Sequence, residues 1–243
     1  MARRFIVRDE NIKESNGNMV ISGEEVKHIQ VLRFNVGDTV HINDAIYKII
    51  SMSRETVELE FIEKAQVLGV PNTNITLYIA FLKSDKMDFV VQKAVELGVS
   101  KIVPFFSSNV IVKLDEKDRV KRQAKLQKIA DEACKQCGRT DSVEVSSFVN
   151  FKELETNFSS QDKVFFAYEA SRESLRVEIN DAKEKEFKNI GIVIGAEGGF
   201  TPNEAQELKE MPNVSVVGLG ERILRAETAA LNLISIVVYE MEE

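Results

Sequence analysis

From residue 75 onward this chain repeats one pattern, a short continuous apolar run followed by a segment that is apolar on one helical face. Ile75–Leu82, Lys101–Phe106, Lys163–Tyr168, Ile190–Ile194 and Val214–Val217 are the main runs. Uninterrupted runs of this length predict strands buried on both faces. Between them, Met87, Val90, Val91, Ala94 and Leu97 recur at helical spacing after Ser84, a candidate cap, and Gly98 with Val99 predicts the left-handed closure of a Schellman turn. Arg119–Cys137 repeats the pattern with Leu126, Ile129, Ala130, Ala133, Cys134 and Cys137 on one face, and a last helix runs from near Arg225 to the acidic end. A further short strand is expected at Val143–Ser146. Strand and helix in alternation predict an α/β domain with a mostly parallel sheet.

The first seventy residues have a different grain. Arg4–Val7, Met19–Ser22, Thr39–Asn43, Tyr47–Ser51 and Thr56–Phe61 alternate or are β-branched, and Asn16-Gly17-Asn18, Val36-Gly37-Asp38 and Asn43-Asp44 supply turns. One helix interrupts, Glu24–Arg33, with Ser22 as its expected N-cap. Many short strands and one helix predict a small β-barrel. The stretch Gln66–Asn72 reads as a linker, which divides the chain into 1–72 and 73–243.

Composition narrows the partners less than the pattern does. Lys and Arg total 32 against 39 Asp and Glu, a net charge of −7, and residues 1–70 hold 9 basic against 11 acidic side chains, so no half is a basic footprint. There is no apolar run of membrane-spanning length and no secretory leader pattern. Only two cysteines are present, Cys134 and Cys137, so no disulfide framework is expected and a reducing cytoplasm fits best. A zinc site needs more ligands than this C-x-x-C offers, and its place at a helix C-terminus disfavours a reactive thiolate. Both are expected to be core thiols, and no metal site is expected.

Three segments following predicted strands can carry chemistry. Gly195-Ala196-Glu197-Gly198-Gly199-Phe200 follows one strand directly, and Thr201-Pro202-Asn203-Glu204 then opens a helix with a capping box and proline at its first position. Neither phosphate-loop nor dinucleotide spacing is present. Gly218-Leu219-Gly220-Glu221-Arg222-Ile223-Leu224-Arg225 follows another strand, and Ala167-Tyr168-Glu169 a third. At the carboxyl ends of parallel strands, three such loops build one pocket of main-chain groups and small side chains, suited to a flat heterocycle. The mixed run Lys113–Arg122 is read equally well as a solvated helix start and as a phosphate contact.

Ile194–Phe200 and Leu219–Ala229 closely resemble the cofactor loops of the ribosomal RNA small-subunit uracil-N3 methyltransferases, in the SPOUT superfamily. The resemblance extends to Gln92–Val99, Glu132–Arg139, Arg3-Arg4-Phe5 and His28–Arg33, and so spans essentially the whole chain. It implies an α/β SPOUT-type C-terminal domain with a deep trefoil knot, an N-terminal PUA-like β-barrel that grips RNA, S-adenosylmethionine as the cofactor and a homodimer. It further implies methylation at N3 of a uridine in 16S rRNA, within an assembled small subunit. On this reading Ala167, Tyr168, Glu169, Ile194, Gly195, Glu197, Gly198, Gly199, Leu219, Gly220, Ile223, Leu224, Arg225, Ala226, Thr228 and Ala229 hold the cofactor. Arg225 and Glu227 are the candidate catalytic cation and base, and Arg3, Arg4, Arg8, His28 and Arg33 contact RNA. Two other readings stay open: methylation elsewhere on RNA, such as a ribose 2′-hydroxyl, and an RNA-binding assembly protein without catalysis.

Overall fold

A computed structural model describes residues 4–65, 70–112 and 114–242. In chain order it contains β1 (Arg4–Phe5), β2 (Ile12–Ser15), β3 (Asn18–Ser22), α1 (Glu24–Val31), β4 (Thr39–Ile42), β5 (Ala45–Met52), β6 (Thr56–Lys64), β7 (Asn74–Ala80), α2 (Ser84–Leu97), β8 (Lys101–Phe106), α3 (Glu116–Cys137), β9 (Glu144–Val145), β10 (Val149–Asn150), α4 (Leu154–Phe158), β11 (Lys163–Ala167), α5 (Leu175–Glu184), β12 (Asn189–Ile194), α6 (Pro202–Glu210), β13 (Val214–Val217) and α7 (Ala226–Glu242). Contacts divide the chain into two units, Met1–Val70 with Cys134–Ser142, and Pro71–Ala133 with Val143–Glu243.

In the first unit six strands pair in the order β1-β4-β5-β6-β3-β2. All neighbours are antiparallel except β1 with β4. Among the described residues β2 and β1 do not pair, so the barrel expected from the sequence is an open sheet by its hydrogen bonds. Its alternating residues Ile21, Val40, Ile42, Ile49, Val57 and Leu59 are buried with Val26 and Ile29 of α1 in one core. The expected Ser22 cap is absent: Gly23 is the N-cap, at φ 90°, and the Ser22 hydroxyl instead donates to the Asn11 carbonyl. Arg139 is almost fully buried in this unit and grips Asp141 in a fork, Nε to Oδ1 at 2.9 Å and Nη2 to Oδ2 at 2.6 Å. Of the two thiols expected in the core, Cys134 is buried and Cys137 is exposed, because α3 ends at Cys137 and the chain turns away at Gly138.

In the second unit seven strands form one sheet, β10-β8-β7-β12-β11-β13 with β9 beside β8, and every pairing is parallel. Alternation along each strand sends side chains to both faces. Tyr78, Val103, Phe105, Val164, Phe166 and Val193 pack with Leu154 and Phe158 of α4 and Ala205 and Leu208 of α6. The helices α2 and α7 contact each other, and α7 also contacts β12. Gly98 closes α2 in the left-handed conformation, with Val99 N donating to Ala94 O, as the sequence predicts. No described helix is long and apolar enough to cross a membrane.

Candidate active site

Four adjacent strands of the parallel sheet, β7, β12, β11 and β13, deliver their carboxyl ends to one edge, the edge where open α/β sheets bind ligands. The loops leaving them enclose a cavity of 510 Å³, within the range of small-molecule sites.

The loop after β12 is the most constrained. Gly199 N donates to Ala196 O at 2.9 Å, closing a tight turn, and Gly199 sits at φ 64°. A Cβ on Gly195 would lie 2.8 Å from Cε2 of Phe200, a buried ring packed edge-on to Phe166 and stacked on Phe105. Glycine is therefore required at 195 by close approach rather than by φ. The loop is held from outside by Asn109, whose Nδ2 donates to the carbonyls of Gly198 (2.9 Å) and Gly199 (3.3 Å).

Beyond it Thr201 caps α6. Its Oγ1 accepts from Glu204 N at 3.2 Å, and the Glu204 carboxylate accepts from Thr201 N at 2.9 Å and Ser108 N at 2.8 Å. Burial opposes ionisation of Glu204, yet these bonds outweigh it and hold the carboxyl below its ordinary value.

After β13, Gly218 passes so close to the Ser171 carbonyl oxygen that no Cβ fits, and Gly220 sits at φ 95°. The chain then runs through Glu221–Arg225 into α7, and the Arg225 carbonyl accepts from Ala229 N at 2.8 Å. After β11, Tyr168 N donates to Val217 O at 3.1 Å, and the Lys209 ammonium lies 4.7 Å from the Tyr168 ring centre. From the end of β7 comes Lys86, in the first turn of α2, with Nζ 3.4 Å from Glu197 Oε1 and 3.6 Å from Glu227 Oε2. Glu197 titrates below its ordinary value: burial opposes this, but its own amide, that of Lys83 and the Lys86 ammonium prevail.

The cavity gathers fifteen of the sixteen residues that the sequence assigns to a cofactor: Ala167, Tyr168, Glu169, Ile194, Gly195, Glu197, Gly198, Gly199, Leu219, Gly220, Ile223, Leu224, Arg225, Ala226 and Ala229. Thr228 is not in the lining and points to solvent from α7. Of the catalytic pair, Arg225 lines the cavity, whereas Glu227 does not. Glu227 is largely buried, and its Oε2 has no hydrogen-bond partner. Ala196, Phe200 and Arg222, which lie in the loops that the sequence singles out but are not among the assigned residues, also line the cavity, as does Lys86, which sequence reasoning missed. Lys86 follows a strand end just as the three chosen loops do, and that position was the available signal.

The residues assigned to RNA lie in the first unit. Arg8, His28 and Arg33 are exposed, and His28 Nδ1 lies 3.2 Å from Glu25 Oε2. Arg4 is partly buried. Its Nη2 donates to the Asn43 carbonyl at 2.7 Å, while Nε and Nη1 are enclosed without a hydrogen-bond partner. Arg3 lies outside the described residues.

A fully parallel sheet whose strand-end loops wall a cavity with glycines defines an α/β ligand-binding domain. A family model described as RNA methyltransferase domain matches residues 70–238. The chain is 34% identical to a ribosomal RNA small subunit methyltransferase E from Bacillus subtilis (strain 168), covering 100% of this chain and 98% of that one. It is 28% identical to a protein of the same name from Mesomycoplasma hyopneumoniae (strain 232), over 96% and 97%. The crystal structure of a ribosomal RNA small subunit methyltransferase E from Neisseria gonorrhoeae bound to S-adenosyl methionine superposes with a TM-score of 0.80 at 28% identity, covering 97% of this chain and 96% of that one. The chain belongs to the ribosomal RNA small subunit methyltransferase E family.

Proposed function

We propose that the protein transfers a methyl group from S-adenosylmethionine to N3 of a uridine in 16S rRNA. The observation that carries this reading is the cavity at the carboxyl edge of the parallel sheet, walled by the glycine loop at 195–199 and the loop at 219–225. The chemistry of the wall fits the donor. Ile194, Leu219 and Leu224 offer apolar surface for a purine, the glycines leave main-chain amides and carbonyls within reach of it, and the carboxylates of Glu169 and Glu197 balance a positively charged ligand. The same lining carries the cations Lys86, Arg222 and Arg225.

When bound, the donor supplies an electrophilic methyl group on a sulfonium. The residues present need only hold donor and acceptor in line, and such positioning is a large part of the barrier in displacement reactions. Arg225, at the cavity, faces the acceptor and stabilises the negative charge that spreads over the uracil ring as the N3 proton leaves. Glu227 stands outside the cavity lining, with its Oε2 3.6 Å from the lining residue Lys86, and on this reading it is the group that accepts that proton. The S–CH₃ bond breaks as the N3–CH₃ bond forms, leaving a neutral thioether. The exposed Arg8, His28 and Arg33, with Arg3, contact RNA phosphates, and Arg4 orders the strand beneath them.

The finer architecture belongs to the same reading: a PUA-like first unit, a knotted C-terminal end and a homodimer. A knot is supported by the return of α7 from the edge strand β13 to pack on β12 and α2. A dimer is supported by the outer face of α7, where Tyr239 is 61% exposed and Ile236 is half-buried. Mass spectrometry of rRNA nucleosides from cells with and without this protein tests the reaction. Loss of N3-methyluridine from 16S rRNA is expected. An unchanged profile refutes catalysis, and loss of a 2′-O-methylated nucleoside moves the acceptor.

A further inference from the structure

The proposed chemistry uses Arg225 and Glu227 and gives no task to Lys86, a charged residue of the cavity lining. Lys86 enters from α2, an element the glycine loops do not include, and its ammonium is within 4 Å of two carboxylates: Glu197 Oε1 at 3.4 Å on the loop after β12, and Glu227 Oε2 at 3.6 Å at the start of α7. All three side chains are largely sheltered, Lys86 at 33%, Glu197 at 22% and Glu227 at 16% exposed. A cation in the first turn of a helix works against the helix dipole, so the dipole does not select lysine there. Glu197 adds the complement: its carboxylate also accepts from the Lys83 amide at the opening of α2, at 3.5 Å. Removing the ammonium would leave both carboxylates without the cation they share.

We infer that Lys86 is a positioning residue for methyl transfer, a clamp that ties the loop after β12 and the start of α7 to the start of α2. Without the ammonium, Glu197 and Glu227 lose the cation they share, and their mutual repulsion drives the loop after β12 and the start of α7 apart. This inference rests on the donor assignment above, and its structural half does not depend on any ligand.

Two measurements on the full-length protein separate those halves. In hydrogen exchange of the unliganded protein, Lys86→Met is expected to speed exchange in peptides covering 196–200 and 221–228, with no change in the sheet strands. Unchanged exchange in both loops overturns the clamp. In steady-state methyl transfer to small subunits lacking the mark, Lys86→Met is expected to raise the KM for S-adenosylmethionine about tenfold, with kcat and the KM for RNA changing much less. Lys86→Arg, which keeps the charge, is expected to stay near wild type. Calorimetry with S-adenosylhomocysteine gives the same ranking in Kd. Equal donor affinity in wild type and Lys86→Met overturns the positioning role. Failure of the wild-type protein itself to bind S-adenosylhomocysteine overturns the donor assignment instead.

Discussion

Gly195→Ala is the sharpest perturbation of the cavity, because its consequence follows from one contact. The added methyl would lie 2.8 Å from Phe200 Cε2 and 3.0 Å from Cδ2, well inside the ~3.5–4.0 Å optimum between carbon atoms. The ring cannot swing aside freely. It is 8% exposed and wedged against Phe105, Phe151 and Phe166. Overpacking of this kind costs about 1–3 kcal/mol, and for a chain of this size each kcal/mol lowers the melting temperature by about 2–4 °C. The expected fall is about 2–12 °C, measured by calorimetric melting of the unliganded protein. Because the strain falls on the main chain that walls the cavity, affinity for S-adenosylhomocysteine is expected to drop as well. The companion change Phe200→Leu shortens the ring side chain. In a double-mutant cycle the pair should be less destabilised than the sum of the singles, by about 0.5–3 kcal/mol. Additive singles, or a Gly195→Ala protein that melts and binds like wild type, would refute the close approach.

Other expectations follow from the charges. Glu204 titrates below its ordinary value in the folded state, so the stability it contributes is full above the unfolded carboxyl value and is lost as pH falls through the lower folded one. Urea midpoints measured from pH 7 to pH 3 should therefore decline more steeply in wild type than in Glu204→Gln, and parallel curves would contradict the assignment. Asp141→Ala leaves the almost fully buried Arg139 guanidinium without its fork partner, and a loss of about 3 kcal/mol is expected in chemical unfolding; a change below about 0.5 kcal/mol would show that the pair is not needed. Arg8→Ala with Arg33→Ala, both exposed, should weaken RNA binding and flatten its dependence on log salt by about 1–2 units of slope. Donor affinity should not change, and an unaltered slope would remove these arginines from the RNA surface.

Local patterns with local causes were readable in the sequence. The run Val214–Val217 is β13 residue for residue, the Thr201-Pro202-Glu204 cap forms as written, and Gly98 ends α2. These depend on periodicity, a side chain three residues away, or one backbone angle. What was not legible depends on distant partners. The strand β2, Ile12-Lys13-Glu14-Ser15, has one apolar residue and exists because its edge pairs with β3. The start of α3 at Glu116 precedes its first apolar-face residue, so periodicity placed it three residues late, at Arg119. Closure of the first sheet is a property of pairing between its first and second strands, and no segment encodes that alone. The cavity was foreseen because three glycine-bearing or short loops follow apolar runs. Lys86 was not, since its carboxylate partners are brought to it only by the order of β7, β12 and β13 in the sheet.

The most direct test is a crystal structure of the protein grown with S-adenosylhomocysteine. Density for the whole ligand is expected in the 510 Å³ cavity, with its purine against Ile194, Leu219 and Leu224 and its hydrogen bonds made to main-chain groups of residues 195–199 and 219–225. Density at another place on the chain, or a cavity that stays empty at saturating ligand, contradicts the account.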